Sequence, residues 1–210
     1  MLDRLAWLGH SGFFLQGPPQ LYIDPFRIGG GPPADVILLT HPHYDHCSPG
    51  DLARIATDET EIFCPADCLT VLREVPGTRR LVEPGQSVQV GKLTIETVPA
   101  YTRKSRMHDR DQGWVGYIIE RDGVRLYHAG DTDYIPEMRR LRVDIACLPI
   151  SGGETMNIVE AAAAANCLAP QVAVPMHYGV IGDDIDPDLF GNLTRVSVRT
   201  MERDPAFAGK

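Results

Sequence analysis

Residues 36–46 read Val36-Ile37-Leu38-Leu39-Thr40-His41-Pro42-His43-Tyr44-Asp45-His46, an apolar run that ends in three imidazoles and a carboxylate. The run suits a buried strand. So many polar side chains at a buried strand's end are costly unless a ligand satisfies them. Imidazole nitrogen and carboxylate oxygen are the ligands that suit zinc, manganese, iron or nickel. In an extended segment residues two apart lie on the same face, so His41 and His43 converge on one ion. Asp45 and His46 are adjacent and diverge unless the chain turns, which assigns them to a second ion. One histidine alone would read as a satisfied structural residue, whereas three with an aspartate at this spacing read as a metal motif.

Working outward, the chain alternates strands and helices. Strands at 5–8, 12–16 and 21–23, separated by Gly and Pro, form an antiparallel start. After the 36–40 strand and its motif, Ser48 caps and Pro49 opens a helix over 48–56. Residues 62–63 and 66–73 repeat the strand and helix. Strands follow at 86–90, 93–98, 114–120 and 124–128, with Asp122-Gly123 a tight hairpin between the last two. Then come helix 134–141, strand 143–148, an alanine-rich helix over 155–168 with Thr155 as cap, strand 172–174, helix 186–191 and strand 195–199. Two strand-rich halves bordered by helices predict two sheets packed face to face between helical layers. The motifs then fall at strand ends along one edge, where loops carry function on a rigid support.

The composition fits one domain spanning 1–210: the chain has 210 residues, 43% of them hydrophobic, enough for a sizeable core. No signal-like or membrane-spanning apolar stretch is present, so a cytoplasmic protein is expected. Five cysteines, an odd number without an export signal, predict reduced thiols. Cys64 and Cys68 read as ordinary helix packing, and Cys47 as a loop neighbour rather than a covalent catalyst. A net charge of −8 argues against binding to nucleic acid or an anionic membrane surface. Gly29-Gly30-Gly31 lacks the Lys-Ser/Thr of a phosphate loop and reads as a flexible loop near the site.

His-x-His-x-Asp-His after an apolar strand resembles the signature of the metallo-beta-lactamase superfamily. Other segments follow in the expected order: Trp7-Leu8-Gly9-His10-Ser11, Ile23-Asp24-Pro25-Phe26, Gly113-Trp114-Val115-Gly116-Tyr117, His128-Ala129-Gly130-Asp131-Thr132-Asp133 and Pro175-Met176-His177-Tyr178-Gly179. The resemblance covers nearly the whole chain. It is strongest to the small single-domain hydrolases related to ascorbate-6-phosphate lactonases. It implies an α/β fold, the four-layer αββα sandwich, and a dinuclear site whose metal-activated water or hydroxide attacks the substrate. Zinc is the first expectation for the two divalent ions, with manganese, iron or nickel accepted.

The resemblance also implies where the remaining ligands lie. The first ion takes His41, His43 and a third histidine from a loop before the second half. His108 is the histidine available there, six residues beyond Thr102 and five before Gly113; the alternative is a solvated loop residue. Asp131 fits the bridging carboxylate, with Gly130 permitting close approach, and Asp133 is the better placed helix cap. His177 completes the second ion with Asp45 and His46. His128, inside its strand, reads as a buried packing residue. His10 and Asp24 both end short strands: Asp24 suits the carboxylate partner of a metal-bound histidine, His10 could hydrogen-bond substrate, and either could be a satisfied turn residue.

Asp45, His10 and Asp24 are thus the candidate catalytic residues, beside the ligand set His41, His43, Asp45, His46, His108, Asp131 and His177. The expected reaction is hydrolysis of a lactone, ester or amide. A phosphodiesterase on the same metals, or a non-catalytic metal-binding protein, are the other readings. Arg103, Lys104, Arg106 and Arg110 surround His108 and suggest an anionic small molecule. A homo-oligomer is compatible with the sequence.

Overall fold

The computed structural model of the chain describes residues 1–181 and 185–209. Six strands form the first sheet in sequence order: β1 (Leu5–Gly9), β2 (Gly12–Leu15), β3 (Leu21–Ile23), β4 (Val36–Leu38), β5 (Glu61–Cys64) and β6 (Thr78–Leu81). The first three pair antiparallel, and β3 to β6 run parallel. The second sheet holds β7 (Ser87–Val90), β8 (Leu93–Pro99), β9 (Val115–Arg121), β10 (Val124–His128), β11 (Ile145–Pro149), β12 (Val172–Met176) and β13 (Ser197–Val198), again neighbours in sequence order. Here β7 to β10 are antiparallel and β10 to β13 parallel. Three α-helices, α1 (Pro49–Leu52), α2 (Ile158–Leu168) and α3 (Pro187–Leu193), complete the described elements together with short 3-10 turns.

Period-two alternation sorts the layers. Phe13, Leu15, Leu21, Ile23, Val36, Leu38 and Phe63 turn to one face of the first sheet and cluster with Leu93, Ile95, Val115, Tyr117 and Ile119 of the second. The intervening Phe14, Tyr22, Ile37, Leu39, Ile62 and Cys64 pack on the other face under Leu52, Ile55, Cys68 and Leu72. A sheet buried on both faces reads as a near-continuous apolar run, which is why 36–39 shows no polar alternation. On the outer side of the second sheet, α2 lays its buried alanines Ala161, Ala162, Ala164 and Ala165 against β11. This is the expected αββα sandwich.

Several local expectations need correction. The helix over 48–56 is α-helical only at Pro49–Leu52. The segments 66–73 and 134–141 are 3-10 turns at Ala66–Thr70 and Pro136–Arg140. Helix α2 starts later than expected because Asn157, not Thr155, caps it: Asn157 accepts from the Glu160 N–H while Glu160 accepts from the Asn157 N–H. Strand β6 was not expected, since only its parallel pairing with β5 marks it. Asp133 caps no helix; its carboxylate accepts from the Arg103 N–H at 2.8 Å. Gly29-Gly30-Gly31 is no loose loop by the site: Gly29 and Gly31 pack closely on Phe207 and Ala208, and the Gly29 N–H bonds to Phe207 O. The Asp122-Gly123 hairpin is as expected, with φ of +54° and +78°. Among the described residues no helix is long and apolar enough to cross a membrane.

Candidate metal centre

The loop that carries the motif begins where β4 runs out of partners. Leu39 still donates to Phe63 O, but the next N–H, of Thr40, turns to Asp24 Oδ1 at 2.9 Å. Released from the sheet, the chain turns tightly: the N–H groups of His46 and Cys47 both donate to His43 O, at 3.0 and 2.8 Å. That turn lets the adjacent Asp45 and His46 point into one cluster.

Among the described residues three groups of potential ligands result, each with its donor atoms within 4.8 Å of one another: His41, His43 and His108; His10, Asp45, His46 and His177; and His41, His46 and Asp131. His41 Nε2 lies 3.0 Å from His43 Nδ1. Asp45 Oδ2 lies 3.8 Å from His46 Nε2 and 3.9 Å from His177 Nε2. Asp131 stands between the two sides, with Oδ1 3.3 Å from His46 Nε2 and Oδ2 3.1 Å from His177 Nε2 and 3.8 Å from His41 Nε2. Its approach depends on Gly130, at φ +63°, where a Cβ would lie 3.1 Å from the Thr40 side chain and from Val115 O.

The donor set fits metal ions on a direct test. Among the described residues, His46 Nε2, both ring nitrogens of His108, His177 Nε2 and Asp131 Oδ1 are buried polar atoms with no hydrogen-bond partner. Each such orphan costs about 1–3 kcal/mol; divalent ions would satisfy His46 Nε2, His177 Nε2, Asp131 Oδ1 and one nitrogen of His108, whose other nitrogen needs a partner of its own.

The other ring nitrogens are held in place. Asp24 is fully buried and accepts from the Thr40 N–H, from Thr40 Oγ1 at 2.6 Å and from His46 Nδ1 at 2.7 Å. The Thr40 hydroxyl, spending its proton on Asp24, accepts from His41 Nδ1 at 2.9 Å. His177 Nδ1 sits 2.7 Å from Ser151 Oγ. Every one of these contacts leaves Nε2 turned to the cluster, the arrangement expected of metal-bound imidazoles. Behind the first triad the Trp114 ring lies 5.1 Å from His41 and His43 and 4.4 Å from His108, with its Nε1 donating to Asp67.

His10 is brought to Asp45 rather than to open space. It is 1% exposed, its Nε2 lies 2.9 Å from Asp45 Oδ2, and its carbonyl accepts from Trp7 Nε1 and the His177 N–H. His10, Asp24 and His177 all adopt left-handed backbone, at φ +54°, +41° and +61°. Non-glycine residues rarely do so, and such strain clusters at functional sites. His128 is a satisfied core residue, its Nε2 2.8 Å from Ser11 O.

The basic loop is less positive than its sequence implies. Lys104 pairs with Asp133 and Glu160, and Arg110 with Glu137. Arg103 and Arg106 have no ion pair among the described residues, and they line a cavity of about 420 Å³ with Tyr101, Ser105 and Asp109. Cys47, Cys64 and Cys68 are buried free thiols, and Cys147 and Cys167 are free as well.

The charges of the cluster are strongly coupled. Burial pushes Asp131 up, but His177 and His46 outweigh it and hold the carboxyl well below its ordinary range. Burial lowers His46, yet Asp131 and Asp24 raise it well above the usual imidazole value. Asp45 is lowered: burial opposes this, and the hydrogen bond from His10 and the charge of His46 prevail. Burial lowers His41 strongly, His10 more modestly, and brings His108 down to about 4.

A pH dependence follows for metal-stripped protein. Where the folded pKa of a histidine is depressed, the unfolded chain binds more protons, so stability falls as pH drops below the unfolded value near 6.5. For His108 the fall levels off near pH 4 and amounts to about 3 kcal/mol, with His41 and His10 adding in the same direction. His46 is raised, so its stabilisation is fully present below the unfolded value and does not change as the pH falls further. Urea melts of stripped protein at pH 7 and pH 4.5 should show the loss; equal midpoints would contradict it.

With the geometry established, comparison with known proteins is direct. The family model described as beta-lactamase superfamily domain matches residues 4–177. A UPF0173 metal-dependent hydrolase of Archaeoglobus fulgidus is 34% identical over 195 residues, covering 83% of each chain, and one of Pyrococcus furiosus is 33% identical over 96% of each. Among solved structures, a putative metal-dependent hydrolase of Parabacteroides distasonis superposes with a TM-score of 0.83 at 30% identity, covering 95% of this chain and 93% of that one. Igni18, a metallo hydrolase of Ignicoccus hospitalis, gives 0.76 at 27%, covering 95% and 94%. The chain therefore belongs to the metallo-beta-lactamase superfamily. Within it, the protein is one of the small metal-dependent hydrolases.

Proposed function

We propose that the protein hydrolyses a lactone, ester or amide at a dinuclear centre. His41, His43 and His108 would hold the first ion and Asp45, His46 and His177 the second, with Asp131 the carboxylate that would serve both. The observation that carries this reading is the place of Asp131, within 3.8 Å of ligand nitrogens on both sides. Zinc is the expected metal, and manganese, iron or nickel suit the same donors.

Divalent ions at such a site supply a water whose pKa falls toward about 7 and polarisation of the substrate's reacting oxygen. The residues do the rest. Asp45 is the carboxylate at the cluster placed to orient the attacking water and accept its proton. His10, hydrogen-bonded to Asp45 Oδ2, fixes which way that carboxylate faces. Asp24 fixes His46 directly and His41 through Thr40. Trp114 walls the first triad with apolar surface, which strengthens the electrostatic interactions inside.

The substrate is proposed to be a small anionic molecule, received by Arg103 and Arg106. Replacing both with alanine should raise KM about tenfold for anionic substrates and leave neutral ones unchanged; equal effects on both would remove the argument. A phosphodiester is the second reading, favoured by the same two arginines. A panel of lactones and aryl esters run beside bis(p-nitrophenyl) phosphate separates the two: turnover of the phosphodiester alone would overturn the first. Action as one domain in the cytoplasm, without nucleic acid or membrane and with self-association allowed, completes the proposal. The net charge of −8 supports its exclusion of polyanions.

A further inference from the structure

His108 is the least supported ring of the centre. It is fully buried and neither nitrogen has a hydrogen-bond partner among the described residues, whereas His41, His46 and His177 each lean on Thr40, Asp24 or Ser151. A metal-bound imidazole normally donates its remaining N–H to a carboxylate, carbonyl or water, which fixes the ring and raises its basicity as a ligand.

The carboxylate beside it is Glu154, whose Oε2 lies 3.9 Å from His108 Nδ1. Its other oxygen accepts from Ser105 Oγ at 2.9 Å, and Ser105 Oγ in turn accepts from the Met107 N–H at 3.0 Å. Glu154 is thus already tied to the loop that carries His108. Lys104 ties the same loop to Glu160 at 2.6 Å and reaches Thr155 O at 3.4 Å. The Glu154 side chain is 36% exposed, so a side-chain rotation can close the remaining gap without disturbing a packed core. The same segment serves the other side of the centre, where Ser151 Oγ lies 2.7 Å from His177 Nδ1 and 3.0 Å from Thr155 Oγ1.

We propose that Glu154 is the positioning residue of His108, its carboxylate accepting the Nδ1–H hydrogen bond when the first cluster holds an ion. Residues 151–160 thereby brace one ligand on each side of the centre, His108 through Glu154 and His177 through Ser151. The inference rests on the dinuclear reading, and it concerns ion affinity rather than the reaction.

The test is a zinc titration of metal-stripped full-length protein against a chromophoric chelator, for wild type, Glu154→Ala, Glu154→Gln and Ser151→Ala. Losing such a partner weakens a site about 10- to 100-fold. Glu154→Ala should weaken one of two binding steps by that factor and leave the other unchanged. Glu154→Gln, which keeps an acceptor oxygen and the Ser105 contact, should lose less. Ser151→Ala should weaken the other step. Circular dichroism of the stripped variants checks folding; should Glu154→Ala not fold, the glutamine variant carries the test with a smaller shift. Both steps unchanged in Glu154→Ala, or in the glutamine variant standing in for it, overturn the inference and leave the dinuclear reading intact. A wild type that takes up one ion sinks the dinuclear reading. In that case Glu154→Ala must weaken the single site if His43→Ala abolishes it, and an unchanged constant overturns the inference. Uptake of no ion overturns both.

Discussion

Asp131→Ala is expected to lower kcat/KM by about 10³-fold or more and to weaken the retention of metal at both sites. The carboxylate lies within 3.8 Å of His41, His46 and His177, so in the proposed dinuclear site its loss would remove a ligand from each ion, together with the charge that offsets two imidazoles. Removing one preorganised electrostatic contact in an active site costs about 10²–10³ in rate, and on the proposed reading this change would remove a direct ligand of both ions together. Asp131→Asn keeps the volume and one acceptor but not the charge, so it should recover affinity only in part. Stopped-time hydrolysis assays with metal analysis of the same samples provide the check. Retention of more than a tenth of the activity with full metal content would show that Asp131 does not bridge.

The second large effect is on stability. Asp24→Ala should destabilise the metal-stripped protein by about 3–5 kcal/mol, the cost of breaking a buried charged pair and leaving its partner uncompensated. Three donors depend on that one carboxylate: the Thr40 N–H, the Thr40 hydroxyl and His46 Nδ1. For a chain of this size the melting temperature should drop by roughly 6–20 °C. Asp24→Asn should lose less, since an amide oxygen still accepts. Working with stripped protein keeps the stabilisation by bound metal out of the comparison. A melting temperature within 2 °C of wild type would mean that Asp24 does not hold the loop.

Much of the fold was legible in the sequence for identifiable reasons. Strands buried on one or both faces announced themselves through apolar runs and alternation, and β4 placed the metal motif at a strand end. The 3-10 turns at Ala66–Thr70 and Pro136–Arg140 were read as helices because short apolar spacing does not distinguish one tight turn from several. Strand β6 was missed because its residues are mostly exposed and only pairing with β5 orders them.

At the site, the histidine candidates stand out because the chain has only seven histidines, whereas its 28 carboxylates can be sorted only by their place at strand ends. Of the residues that hold those side chains, only Asp24 is legible in the sequence. Thr40 precedes His41 by one position and was available as a signal, since a hydroxyl at a strand end next to a ligand can cap its ring. Ser151 and Glu154 carried none: they reach His177 and His108 only through tertiary contact across the top of the second sheet. Asp24 was read as a histidine's partner, but its choice of His46 and its grip on Thr40 depend on the left-handed turn after β3. The sequence leaves His10 either as a substrate contact or as a satisfied turn residue, and the structure sets its ring against Asp45.

Elemental analysis of the protein as purified without added metal, for wild type and His43→Ala side by side, bears most directly on the dinuclear centre. The account predicts two equivalents of divalent first-row metal per chain in wild type, at least one fewer in His43→Ala, and hydrolysis that disappears with the metal and returns when it is restored. Metal content near zero in active wild-type protein, or full hydrolysis after stripping, would contradict it.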